Sequence, residues 1–417
     1  MFFLKKFYLE GYGCSLNISE TEKIDDFLEK NNYKRTNKIK DADFIIINTC
    51  SVKQVTEQRM LSRIEYFLSN KKESSKIIVF GCLAAHKNKE LTKKFPTVFV
   101  CNTSLESLCA VLGIKKLLFS PKILGKKSNP LVSIIPVSIG CLGNCTYCAT
   151  KLARPNFKSY SVNEIDFAFK NALESGSKEI WLTSQDLGCY GFDIKTNLVD
   201  LLKVLLKNEG NYKIRLGMMN PNFLKKISAD LIPLFSDERL YKFLHVPVQA
   251  GSDRILKLMN RGYKSKEFID LVKSFRKKVK GITFSTDIIV GFPTETKKDF
   301  EKTLYLLKKT TPEVVNISRF AKRSGTKATS FSGQLSEETK KDYSRKLTKF
   351  CDEYMLINNK KTIGSKVNVL VSEKKSDILF VARTNNYRPV NVDFGYSNFV
   401  DVEIIEAFPH FFKGEKY

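Results

Sequence analysis

The chain has 417 residues, of which 42% are hydrophobic and 27% charged, with 21 glycines and 12 prolines. Length predicts about three domains, and the composition excludes a disordered, collagen-like or peptide-sized protein. A net charge of +26 suits a polyanionic partner such as nucleic acid, although a lysine-rich genome would leave the same excess without a functional meaning. No apolar run is long enough to span a membrane, and the start MFFLKKFYLE lacks the apolar segment and cleavage site of a signal peptide, so a cytoplasmic protein with no membrane partner is expected. In that reducing compartment the ten cysteines are not a disulfide framework, and those that fall into a pattern read as metal ligands or redox groups.

Residues 1–115 alternate short apolar runs with helical stretches: KKFYLE before a helix from about Ser19 to Lys30, DFIIINT before a helix from about Val52 to Leu68, then KIIVF, a short helix, TVFV and SLESLCAVLG. That alternation predicts a parallel, doubly wound α/β sheet. Cys14, Cys50 and Cys82 each follow one of these runs, so all three open at the C-terminal edge of the sheet, where ligand sites form. A shared iron-sulfur cluster is one reading of them, with Gly11, Gly13 and Gly81 allowing the backbone to come close; small buried hydrophobes are the other. Cys101, Cys109 and Cys351 read as packing residues.

The segment GIKKLLFSPKILGKKSNP has the composition of a linker. From 131 to 360, strand-like runs at LVSIIPVSIG, EIWLTSQ, KIRLGMM, KFLHVPVQ, ITFSTDIIVGF and EVVNISRF alternate with helix-length segments. They predict a partial or complete (β/α) barrel with its site at the C-terminal strand ends. From 361 to 417 the runs KVNVLV, ILFVART, YRPVNV and FVDVEIIEA follow one another without helices, as in a small all-β barrel of the kind that binds RNA. Lys366, Lys374, Lys375, Arg383 and Arg388 interleave there with Phe380, Tyr387, Phe394 and Tyr396. Phosphate contact and base stacking are one reading, and core filling with solubilising lysines the other.

The most informative residues are Cys141, Cys145 and Cys148 in GCLGNCTYC, directly after the first barrel strand. Three thiolates on one tight loop can hold three irons of a 4Fe-4S cluster and leave the fourth open for chemistry. A closed zinc site would need a fourth ligand, and no matching Cys or His pair follows.

This C-x3-C-x2-C loop at a barrel mouth resembles that of the radical S-adenosylmethionine enzymes. The phrases GYGCSLNISETE, INTC, GCLGNCTYCATKLAR, LTSQDLGCYG, HVPVQAGSDRILKLMNRGY and TDIIVGFPTET extend the resemblance over nearly the whole chain to the methylthiotransferases, with a TRAM-like C-terminal barrel. Within that family GCLGNCTYCATKLAR resembles the archaeal and eukaryotic-type tRNA branch; Pro155 and Ala250 depart from its usual Gly and Ser. The resemblance implies a transferase that converts N6-threonylcarbamoyladenosine, on the 3′ side of the tRNA anticodon, to its 2-methylthio derivative. Other branches act on isopentenyladenosine tRNA or on a ribosomal protein, and a non-catalytic iron-sulfur RNA-binding protein is the reading from another class.

The resemblance also implies two 4Fe-4S clusters, one on Cys141, Cys145 and Cys148 that reduces S-adenosylmethionine, and an auxiliary one on Cys14, Cys50 and Cys82 that carries the transferred sulfur. An electron donor and a sulfur source are then required as partners beside tRNA. Ser184, Gln185, Arg215 and Gln249, near the ends of barrel strands, are candidates for holding S-adenosylmethionine; for Gln185 and Gln249, bracing a loop is the alternative. His245 reads as a hydrogen-bonded core histidine, and Thr294 or Thr296 as the cap of the helix after GFPTET.

Overall fold

The computed structural model describes residues 4–50, 54–114 and 124–417. The expected helix start at Val52 and the middle of the linker lie outside the described residues.

Strands β1 (Lys6–Gly11), β2 (Lys34–Arg35), β3 (Phe44–Thr49), β4 (Lys76–Gly81) and β5 (Phe99–Val100) form one parallel sheet in the order β2-β1-β3-β4-β5. All six residues of β3 are buried, as an apolar run must be when helices cover both faces of a parallel sheet. Side chains alternate between the faces: Ile45, Ile47 and Val79 pack on one side, Phe44, Ile46 and Ile78 on the other. The covering helices are α1 (Ser15–Lys30), α2 (Gln54–Asn70), α3 (Cys82–His86), α4 (Asn88–Lys94) and α5 (Leu105–Leu112). Because α1 begins at Ser15 and not near Ser19, Cys14 is its N-cap residue. The two-residue edge strand β2 carries no pattern in the sequence.

The central unit holds six parallel strands, β6 (Val132–Pro136), β9 (Glu179–Thr183), β10 (Lys213–Leu216), β11 (Phe243–His245), β12 (Thr283–Val290) and β13 (Val314–Arg319). Bridges from Ile214 to Leu240 and from Met218 to His245 join the two three-stranded halves into an open barrel. Between β6 and β9, the short strands β7 (Ser138–Ile139) and β8 (Lys158–Ser159) pair antiparallel and close the neck of the loop that carries Cys141, Cys145 and Cys148. Helix α6 (Thr150–Ala153) lies inside that loop, and α7 (Val162–Glu174) follows it, started by a capping box of Ser161 and Glu164. Thr296 caps the helix Lys297–Thr310 through a similar exchange with Asp299.

The long helix Glu337–Lys360 leads into a closed barrel of β14 (Lys366–Lys374), β15 (Phe380–Thr384), β16 (Pro389–Val392), β17 (Ser397–Ala407) and β18 (Phe412–Lys416). The last strand was not among the predicted runs. This barrel docks on the N-terminal ends of the central strands: Ser372 Oγ donates to Glu179 Oε2 at 2.8 Å, and Lys242 N donates to Asn385 O at 3.0 Å. Tyr387 packs its ring 4.8 Å from that of Tyr241 and 5.0 Å from that of Phe243. Of the two readings of these residues, the packing one holds for Tyr387 and Arg388. Docking takes Tyr387, Arg388 is buried with Nη2 on Asn359 Oδ1 at 2.9 Å, and Arg383 is paired with Glu373. Lys366, Lys374 and Lys375 are exposed. Among the described residues no helix is long and apolar enough to cross a membrane.

Candidate active site

Cys14, Cys50 and Cys82 end the adjacent strands β1, β3 and β4, so the parallel topology brings them to one edge of the sheet. Chain order reverses between β1 and β3, which opens a crevice at their C-terminal ends. Gly13, at φ +111°, lies against Cys50: a Cβ there would stand 2.6 Å from the Cys50 sulfur, so only glycine fits. Cys14 is exposed, while Cys50 and Cys82 are buried. Burial pushes the Cys82 thiol up to about 11. Asn17 braces the site, donating to Thr49 O at 2.8 Å and accepting from the Cys82 thiol at 3.7 Å.

The second trio sits on the loop that follows β6, between β7 and β8. Gly143 is within reach of two of its thiols, since a Cβ on it would lie 3.3 Å from the Cys141 sulfur and 3.9 Å from that of Cys145. The Gly143 amide donates to Cys141 Sγ at 3.2 Å, and Arg261 Nη1 donates to Cys145 Sγ at 3.3 Å. Arg261 is buried, its other nitrogens on Tyr263 Oη at 2.9 Å and Pro247 O at 2.6 Å. The Asn260 side chain and the Met259 and Leu258 carbonyls tie down Asn144 and Thr146, which explains why NRGY belongs to the same site as the cysteine loop. Burial raises the Cys148 thiol.

Cys189, for which the sequence offers no special reason, is buried beside this loop, with its thiol donating to Asp186 O at 3.1 Å; the nearness of Cys189 and Cys141 lowers the Cys141 thiol and raises that of Cys189. Cys101, Cys109 and Cys351 are buried in apolar clusters, as expected of packing residues. Among the described residues no group of three or more Cys, His, Asp and Glu is close enough to share a single metal ion.

The strand-end candidates separate into two kinds. Gln185 Oε1 accepts from Gly140 N at 2.7 Å, so it braces the entrance to the cysteine loop. Ser184 Oγ, Arg215 Nε and Gln249 Oε1 are buried with no protein partner. Unpaired buried polar atoms are costly, and three around one barrel suit a polar ligand that would satisfy them. Gln249 is also held at φ +73°, a conformation that costs energy for a residue with a side chain. The Arg215 guanidinium lies 5.5 Å from the ring centres of Trp181, Phe243 and Tyr387, toward the floor of the barrel. His245 Nε2 is 2.9 Å from Asp287 Oδ1, which also accepts from Asn316 Nδ2 at 2.8 Å.

The first unit is fastened to the barrel. Ser15 Oγ meets Thr183 Oγ1 at 2.6 Å, Ser19 Oγ donates to Ile134 O at 3.3 Å, and Arg323 pairs with Glu57 at 2.8 Å. Arg154, six residues after Cys148, reaches the first trio, with Nε 3.4 Å from the Cys82 sulfur and Nη2 2.6 Å from Glu20.

Three family models match successive parts of the chain. Residues 6–102 match the family described as Uncharacterized protein family UPF0004, residues 135–307 the Radical SAM superfamily, and residues 360–416 the TRAM domain. A Methanocaldococcus jannaschii protein, named probable threonylcarbamoyladenosine tRNA methylthiotransferase, is 36% identical over 98% of this chain and 96% of its own length. The human threonylcarbamoyladenosine tRNA methylthiotransferase is 34% identical over 99% of this chain and 74% of its own. A tRNA-2-methylthio-N(6)-dimethylallyladenosine synthase of Aquifex aeolicus is 31% identical over 99% and 98%. The radical S-adenosylmethionine methyltransferase TsrM of Kitasatospora setae shares the fold, with a TM-score of 0.59, 11% identity, and coverage of 78% of this chain and 77% of that one.

Proposed function

The chain belongs to the radical S-adenosylmethionine methylthiotransferase family, and from that membership we propose that it converts N6-threonylcarbamoyladenosine beside the tRNA anticodon to its 2-methylthio derivative. The observation that carries the reading is the fastening of the unit that bears the first cysteine trio to the barrel that bears the second, through the Ser15–Thr183 bond and the Arg154–Cys82 contact. Relatives named for threonylcarbamoyladenosine, at 33% to 37% identity, favour this substrate over the dimethylallyl nucleoside of the 31% relative.

Cys141, Cys145 and Cys148 would hold the cluster that meets S-adenosylmethionine, and Cys14, Cys50 and Cys82 the auxiliary one. When bound, these groups supply one-electron chemistry at an unactivated C–H bond and the sulfur to be inserted. The protein's own part is placement. Ser184 and Gln249 offer unpaired polar atoms to S-adenosylmethionine, and Gln185 holds the loop while it borders the pocket, whereas Arg215 packs among the rings of the barrel floor and is not assigned to the ligand. Exposed lysines of the C-terminal barrel would neutralise tRNA phosphates, within working units of 1–115, 131–360 and 361–417. An electron donor and a sulfur source complete the cycle, in the cytoplasm where the tRNA is met.

Expression in a host whose tRNA contains threonylcarbamoyladenosine but not its methylthio derivative tests the reading. Digested tRNA should yield 2-methylthio-N6-threonylcarbamoyladenosine by mass spectrometry. Methylthiolation confined to isopentenyladenosine or to a ribosomal protein would assign the chain to another branch.

A further inference from the structure

Each trio of cysteines has one arginine hydrogen-bonded to one of its sulfurs. Arg261, which serves Cys145, comes from the same barrel. Arg154, which serves Cys82, does not come from the unit that carries Cys82: it is the residue that ends α6, within the barrel's own cysteine loop. Only a single short helix separates it from Cys148, and its backbone N–H is fixed to Thr150 O at 2.9 Å. Arg154 is 3% exposed, and Cys82 7%. Burial works against the charge on Arg154, but Glu20 and the Cys82 sulfur more than offset it.

We propose that Arg154 is a positioning residue that makes the electron demand of the auxiliary site depend on the radical loop: its Nε–H bond fixes Cys82 and draws charge from that sulfur, while its place after α6 ties Cys82 to the loop of Cys148. The proposal rests on the auxiliary-cluster reading above. Hydrogen bonds to ligand sulfur, and positive charge near a cluster of net negative charge, both favour the reduced state and raise the potential. Glu20 works in the opposite sense, since its carboxylate, at 2.6 Å, neutralises part of the guanidinium. A purely structural Arg154–Glu20 pair would not give substitutions of opposite sign at its two ends.

The test uses the full chain with Cys141, Cys145 and Cys148 replaced by Ala, so that the auxiliary site is the one measured. After anaerobic reconstitution, iron is counted and the midpoint potential is read by EPR-monitored titration, for this parent and with Arg154→Lys, Arg154→Gln or Glu20→Gln added. The expected order of potentials is Glu20→Gln above the parent, Arg154→Lys below it, and Arg154→Gln lowest. Potentials of Arg154→Gln and Arg154→Lys equal to the parent's, or a Glu20→Gln shift in the same direction as Arg154→Gln, overturn the proposal. Should Arg154→Gln fail to load iron, Arg154→Lys and Glu20→Gln still decide it by the sign of their shifts. A parent that loads no iron overturns the auxiliary-cluster reading itself, which is a separate result.

Discussion

Ser15 Oγ and Thr183 Oγ1 lie 2.6 Å apart, and each hydroxyl is next in sequence to a residue of the proposed site, Cys14 on one side and Ser184 on the other. This bond crosses from the N-terminal sheet to the barrel mouth, so it sets where the first trio stands relative to the S-adenosylmethionine pocket. Ser15→Ala should leave both cysteine trios able to load iron and S-adenosylmethionine cleavage near normal. Loss of one hydrogen bond, about 1 kcal/mol, should lower methylthiolated product per 5′-deoxyadenosine about fivefold. An unchanged ratio would mean that the contact does not control the approach of the two sites.

Two independent trios predict about eight irons per reconstituted chain, four for each cluster. Replacing Cys141, Cys145 and Cys148 with Ala should leave one cluster and abolish S-adenosylmethionine cleavage. Replacing Cys14, Cys50 and Cys82 should leave one cluster, keep cleavage and stop sulfur insertion. Full iron content in the second triple variant would remove Cys14, Cys50 and Cys82 as ligands.

Ser184→Ala and Gln249→Ala remove the unpaired polar atoms of the pocket and should each weaken S-adenosylmethionine binding roughly tenfold, about 1.4 kcal/mol. Equilibrium dialysis of the reconstituted protein measures this. Gln185→Ala should act differently, since its carbonyl is already bonded to Gly140: it should loosen the cysteine loop and lower iron retention at Cys141, Cys145 and Cys148. Normal loading with weakened S-adenosylmethionine binding would instead make Gln185 a direct contact.

Glu295 is 5% exposed, and burial pushes its carboxyl up to about 7 while the Gly291 amide hydrogen-bonds to it. A carboxyl raised in the folded state resists ionising there but not in the unfolded chain, so its effect is to lower stability as pH rises from about 4.5 to about 7. The full loss is up to about 3 kcal/mol. Glu295→Gln should be less sensitive to pH than wild type across that window in chemical denaturation, and parallel curves would rule the effect out.

The C-terminal barrel is a poor subject for truncation, because its Tyr387 and Ser372 help to form the floor of the central barrel. Charge reversal is the cleaner probe. Lys366→Glu and Lys375→Glu should weaken tRNA binding and flatten its salt dependence, by a slope of about 0.9 for each phosphate no longer neutralised. S-adenosylmethionine cleavage without tRNA should not change. An unaltered salt slope would place tRNA binding elsewhere.

The sequence revealed the strands that end in Cys14, Cys50 and Cys82 because apolar runs in a parallel sheet are nearly continuous, and their meeting at one edge followed from topology alone. It revealed the radical loop because three cysteines in nine residues leave few other readings. Arg154, Arg261 and Cys189 were not legible in that way. Their partners lie 72, 116 and 48 positions away along the chain, and one arginine in a lysine- and arginine-rich chain carries no mark of the sulfur it meets. Arg388 shows the converse: a basic residue beside an aromatic looks the same in sequence whether it faces RNA or is buried against Asn359 of the preceding helix.

Tyr387 stands under the central barrel but follows every strand of that barrel in the chain. During synthesis the six parallel strands therefore emerge from the ribosome before the residue that seals them from below. An oxygen-sensitive cluster inserted at that stage would sit above an open floor, and the nascent barrel would leave Tyr241 and Phe243 without their partner ring. Cluster assembly is thus best timed after translation, and a lesion in the C-terminal barrel should appear first as poor maturation of an enzyme whose own ligands are intact.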